Sequence, residues 1–350
     1  MHPFSRNRTL LSSQKINNTG NIVQEKAEIT KNNPLLYACE FDGKGGAREL
    51  AWHDVDKSTR KTTWVHMDMT NPETHKWLTE KSGLEDFVIE ALLDEEARPR
   101  TEEVGDGAIV ILRGVNLNEN AEPEDMVSIR IWIEQKRIIS VRRHRLKVVE
   151  EIEEKIKNGK GPKTVGDFIV MLSTRLFERM EPVLFELDKM TDDSEEKVLD
   201  SPDTKLRSDI IDIRKRAIML RRYISPQRDA ITHLRMSEMD WLDSTHVRRL
   251  QENYNILTRY VEDLDAIRER SQIIKDELGN VLADRLNKNM YMLSLIASIF
   301  LPLGFLTGLL GVNLGGIPGA ESHLAFFVFL LIMIVVVIGQ IYIFKKFKWF

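Results

Sequence analysis

The residues of this 350-residue chain best suited to meeting an ion lie near its C-terminal end. Asn287, Met290, Ser294, Ala297, Leu301, Gly304 and Gly308 recur at intervals of three and four, so on a helix they share one stripe. Asn287 stands at one end of that stripe. Asn313, within Gly311-Val312-Asn313, lies just beyond the other. A side-chain amide oxygen can replace part of a cation's hydration shell without the grip of a carboxylate. Two readings follow. Small residues let helices approach closely, which suits an interface with another helix of the chain. The same stripe suits a wall along which a hydrated cation moves, and the amides at its two ends favour the wall.

The elements that would carry this stripe belong to a membrane. Residues 291–310 and 324–344 are apolar runs without Asp, Glu, Lys or Arg. At about 1.5 Å per residue, each spans a hydrocarbon core of about 30 Å. Arg285 and Lys288 precede the first run and Lys345, Lys346 and Lys348 follow the second, while the 311–323 loop has neither Lys nor Arg. The positive-inside rule then places both termini in the cytoplasm and the loop outside. Two helices enclose no water-filled path, so a pore requires an oligomer with the first span at its axis. Extended inward, the stripe brings Asp284, Asn280 and Glu277 or Asp276 toward that axis as a negative vestibule. An ordinary solvated helix face is the alternative. Neither run holds an Asp, Glu, His, Lys or Arg for a proton relay, and the stripe has no His or Cys to bind zinc tightly.

The preceding residues are soluble in character. Thirty polar N-terminal residues without an apolar core read as a flexible tail and not as a signal peptide. The net charge of −4, with bases and acids interspersed, gives no footprint for nucleic acid. The lone Cys39 makes neither a disulfide nor a zinc cluster and reads as a small buried hydrophobe. Residues 64–68 and 108–112 read as short strands, and Asn71 caps a helix that begins at Pro72. Val127, Ile129, Ile131 and Ile133 alternate with Ser128, Arg130 and Trp132, which predicts a half-buried strand turning back at 134–136. After residue 162 the period becomes helical: 168–190 with a kink at Pro182, then a helix from Leu206 stopped near Ser225-Pro226. From Ser244 no proline intervenes before Pro302, so one long helix runs into the first span. No nucleophile constellation, P-loop or dinucleotide turn is present, which disfavours an enzyme. His66 with Asp68 reads as a strand end, and His144 belongs to a solvated basic cluster.

Longer segments carry a resemblance. Gly311-Val312-Asn313 followed by Ile317-Pro318, after a long helix and between two spans, resembles the CorA divalent-cation transporter superfamily, whose signature is Gly-Met-Asn. Residues 95–100, 112–117, 123–128 and 314–319 resemble the zinc-transporting ZntB branch, and the likeness covers about residues 33–350. The resemblance implies an α+β cytoplasmic domain, a stalk helix and a transmembrane hairpin in a funnel-shaped homopentamer. It implies zinc uptake assisted by a proton gradient, with no cofactor. By position, Asn313 would be the outer selectivity residue, and Asn287, Met290, Leu293, Ala297, Leu301 and Gly308 would lie along or beside the path. The methionine of the signature is Val312 here, and the acid found after Met-Pro in magnesium-type members is Gly319, with Glu321 the only acid nearby. Both departures weaken the case for Mg2+. Proton coupling would fall to Glu321, His323 or Asp284.

The expected organisation is a tail (1–32), an α/β domain (33–160), a helical region (161–243), a stalk (244–290), a pore-lining span (291–310), an outer loop (311–323), a second span (324–344) and a basic tail (345–350). The expected function is zinc transport across a bacterial inner membrane by a homopentamer embedded in lipid. The alternatives are a magnesium or cobalt channel and a non-transporting membrane-anchored scaffold.

Overall fold

The computed structural model describes residues 34–55, 61–311 and 322–347. These fall into two units, 1–196 with 207–274, and 197–206 with 275–350.

The first unit is built on a seven-stranded sheet. Its strands are β1 (Leu35–Phe41), β2 (Ala47–Glu49), β3 (Thr63–Asp68), β4 (Arg100–Val104), β5 (Gly107–Gly114), β6 (Val127–Glu134) and β7 (Arg137–Arg142), in the order β2-β1-β3-β7-β6-β5-β4. Neighbours pair antiparallel except β3 and β7, which run parallel. The parallel pair needs a crossover, and α1 (Pro72–Glu80) and α2 (Asp86–Leu93) lie on it. The Asn71 cap forms as the sequence predicts: its Oδ1 accepts from Glu73 N at 3.0 Å, with Pro72 opening the helix.

β6 differs from the half-buried expectation. Arg130 and Trp132 are buried as well as the alternating isoleucines, because both faces of the sheet are covered. One face packs Val65, Met67, Ile109, Ile111 and Ile139 against Leu78, Val88 and Leu92 of α1 and α2. The other packs Trp64, Val110, Leu112, Ile129 and Ile131 against residues of α3 (Lys147–Lys157) and α4 (Val165–Glu178). Phe168 of α4 sits 4.8 Å from the Trp64 ring. Cys39 is buried on this face.

α5 (Glu181–Asp200) starts after a break at Arg179 and Met180, so Pro182 sits in its first turn, where a missing N–H costs nothing. Pro226 does not stop a helix. α6 (Leu206–Met236) continues through it, because the following turn is held by burial of Gln227, Ala230, Ile231 and Leu234. Gln227 Oε1 also accepts from Arg113 N at 2.6 Å, tying that turn to β5. α7 (Ser244–Gly311) is one helix of 68 residues. Its first part buries Leu250, Leu257 and Leu264 in the first unit, and α4 approaches it at Gly166, where a Cβ would stand 2.6 Å from the His246 ring.

The second unit contains the remainder of α7 and α8 (Ala325–Lys346). Both helices are long and apolar enough to cross a membrane.

Candidate ion path and membrane hairpin

The helix period brings the predicted stripe onto one side of α7, and that side is uncovered. Asn287, Met290, Ser294, Ala297, Leu301, Gly304 and Gly308 are all exposed within the chain, as is Leu293 beside them. A Cβ built on Gly304 or Gly308 meets nothing within 4 Å. The shielded positions are others: Leu295 is buried, and Ser298, Ile299, Pro302, Leu303 and Leu306 are half-buried. On α8 the matching shielded set is Ala325, Phe329, Met333, Val336, Val337, Gly339, Gln340 and Phe344. The interface reading of the stripe within one chain is thereby overturned. Intrachain shielding falls on the stripe of Leu295, Ile299, Pro302 and Leu306, and the predicted stripe lies outside it.

A polar contact joins the two spans. Pro302 has no N–H to give the carbonyl four residues earlier, so Ser298 O loses its helical donor. Gln340 Nε2 of α8 donates to Ser298 O at 3.2 Å. In hydrocarbon, where water is absent, an amide reaching a carbonyl freed by proline removes the cost of leaving it bare. Neither residue stood out from hydropathy alone. The available signal was an amide in an otherwise apolar run, paired with a proline in the other.

Gly311 is the last residue of α7, and His323 is exposed just ahead of α8. Val312, Asn313, Gly319 and Glu321 lie outside the described residues. Glu277, Asn280 and Asp284 are exposed along α7. Asp284 and Asn287 lie three residues apart, on one side of the helix. In a single chain these residues line up along an open face, and no enclosed site forms around them. No group of three or more His, Cys, Asp or Glu side chains suited to holding a metal ion occurs among the described residues. The exposed surface of the first span divides further. Ile296, Phe300, Phe305 and Leu309 are large and apolar, as a lipid-facing surface is, whereas the stripe mixes Met290 and Leu301 with an amide, a hydroxyl and glycines.

His66 and Ser140 occupy the middle of the sheet and not a strand end. His66 Nδ1 and Ser140 Oγ are 2.8 Å apart, and Ser140 Oγ accepts from Trp64 Nε1 at 2.8 Å. Burial, with the Arg142 charge nearby, pushes the His66 imidazole down to about 3, so it is neutral there. It is a core histidine.

A globular α/β unit, one helix continuing from it into the hydrophobic range, and a second apolar helix beside that range define a two-span membrane protein. The family model described as CorA-like Mg2+ transporter protein matches residues 59–346, and the chain belongs to that family. It is a divalent-cation transporter of the CorA family and not an enzyme. The zinc transport protein ZntB of Pectobacterium carotovorum is 38% identical over 320 residues, which cover 90% of this chain and 95% of the relative. The divalent cation transporter CmaX of Pseudomonas aeruginosa is 36% identical over 324 residues, covering 90% and 96%. The full-length CmaX structure superposes with a TM-score of 0.80 at 35% identity, covering 90% of this chain and 98% of that one. The CorA magnesium transporter of Methanocaldococcus jannaschii shares the fold alone, with a TM-score of 0.74 at 18% identity over 90% and 98%.

Proposed function

We propose that this protein carries Zn2+ across the membrane as a homopentamer, with the exposed stripe of α7 facing the central axis and both termini in the cytoplasm. The observation that carries the reading is the division of the first span. One stripe of it, Leu295, Ile299, Pro302 and Leu306, is shielded within the chain, while Asn287, Ser294, Ala297, Gly304 and Gly308 are uncovered. Zinc is chosen over magnesium because relatives named as zinc transporters match almost the whole chain, and because Val312 and Gly319 replace the magnesium-type residues. A hydrated cation is held by the Asn313 ring and passes an apolar constriction at Leu301, Ala297, Leu293 and Met290. It leaves past Asn287, Asp284, Asn280 and Glu277. A proton gradient assists uptake, with Glu321, His323 and Asp284 as the groups available to exchange protons.

Flux into proteoliposomes tests this. Zn2+ entry that rises with an inward proton gradient and disappears in Asn313→Ala is the expected result. Entry of Mg2+ or Co2+ regardless of the gradient would replace zinc with a channel-type substrate. Gly308→Leu separates a pore from a membrane anchor. The new side chain meets nothing in its own chain, and leucine is a better helix former than glycine by about 1 kcal/mol. Flux should therefore fall while the protein still folds and assembles. Unchanged flux in both variants would leave the hairpin as an anchor only.

A further inference from the structure

Three segments that support the family resemblance have no part in the ion path: 95–100, 112–117 and 123–128. In the first unit they converge on one cavity of about 340 Å3, joined by residues of β6 and α6. That volume lies in the range of small-molecule sites.

The chemistry of its lining is cationic. Arg113, Arg130, Arg143 and Arg222 face it, with Glu95, Glu124 and Asp125. Arg143 pairs with Glu95 at 2.5 Å, and Glu124 pairs with Arg216 at 3.1 Å. Three guanidinium groups then face Asp125, which is exposed. The two deeper ones bond to neutral groups. Arg130 donates to Asp94 O at 2.8 Å and Glu95 O at 3.1 Å, and Arg113 donates to Met126 O at 2.8 Å and Ala97 O at 3.2 Å. Carbonyls orient an arginine without cancelling its charge. Arg113 lies 4.2 Å from the centre of the Tyr223 ring and Arg222 lies 5.6 Å from it, so the two positive groups share one neighbour.

Burial is the main influence on these guanidinium groups, and their neighbouring charges add to it. Burial, and then the Arg113 charge, pushes Arg130 down to about 10. Burial also lowers Arg113, and Arg222 acts in the same direction. Holding like charges around an open volume costs stability unless an anion occupies it.

We infer that this cavity of the α/β unit is a binding site for a small phosphate-bearing molecule, held by Arg113, Arg130 and Arg222. Guanidinium groups suit phosphate because their paired N–H donors match its oxygens. The site does not depend on which cation the protein moves.

The test is calorimetric titration of the purified full-length protein with sodium pyrophosphate, in metal-free detergent buffer at fixed ionic strength. Saturable binding is expected, weakened about tenfold or more in Arg222→Gln, since a charge-assisted hydrogen bond is lost. Arg222 is exposed, so that variant should fold. Arg249→Gln, an exposed arginine outside the cavity, should bind as the unaltered protein does. Absence of saturable binding overturns the site. So does equal weakening in both variants, or saturation of the same site by sodium chloride in the pyrophosphate concentration range.

Discussion

In the α/β unit Leu112 and Phe168 are wholly buried by their own chain, whereas in the hairpin Phe300, Phe305 and Phe326 are about two-thirds exposed. A single helix shows both behaviours. Leu250, Leu257 and Leu264 of α7 are buried, and Leu293, Leu301 and Leu309 further along it are exposed. The α/β unit is completed by its own chain, since it can remove apolar surface from water on both faces of the sheet. The hairpin shields one stripe per helix and leaves the remainder to lipid and, in the pentamer proposed above, to neighbouring copies.

Phe168→Ala should break this contrast most sharply. It empties a fully buried site against Trp64, at a cost of about 3–5 kcal/mol. Phe300→Ala should stay within about 0.5 kcal/mol, as expected for an exposed position. Denaturation midpoints of the two variants in detergent check the difference, and equal losses would refute it. Arg130→Leu comes next, at about 3 kcal/mol, because the carbonyls of Asp94 and Glu95 lose a buried charged donor.

A pH series probes the same core more gently. His66 has a folded value near 3 and an ordinary unfolded value near 6.5, so the unfolded chain binds the proton first as pH falls. The stability tied to neutral His66 is complete above pH 6.5 and declines below it, by about 1.4 kcal/mol per pH unit, until the folded value is reached. His66→Gln should flatten that slope. Parallel curves for the two proteins would show that another group sets the acid response.

Among the variants that remove a partner, Gln340→Leu should have the smallest effect, about 1 kcal/mol on the hairpin, with the α/β unit unchanged. Hydrogen exchange at the amides around Ser298 is the direct readout, and no local change there would remove Gln340 as the partner of the proline-freed carbonyl.

Much of this architecture is legible in residue spacing. The two apolar runs, the Asn71 cap and the unbroken helix from Ser244 follow from length, capping chemistry and periodicity, all of which are local. Pro226 misleads, since a proline inside a helix is tolerated only when burial of the following turn offsets the lost bond. Arg130 misleads for the same kind of reason. Alternation identifies which residues share a face of β6, but not that α1 and α2 cover the polar one. The predicted ion-path residues are readable as a stripe, and their exposure is not.

The sequence by itself determined the class of this protein: two spans, a long helix feeding the first, and a polar N-terminal unit with no enzyme motif. Those properties depend on composition and on spacings within a few turns of chain. Only the tertiary structure decided which face of the first span is shielded, that Gln340 answers Pro302, and that three separated segments meet around the arginine-lined cavity. Each of these joins residues tens to more than a hundred positions apart, and such meetings are set by how whole elements pack.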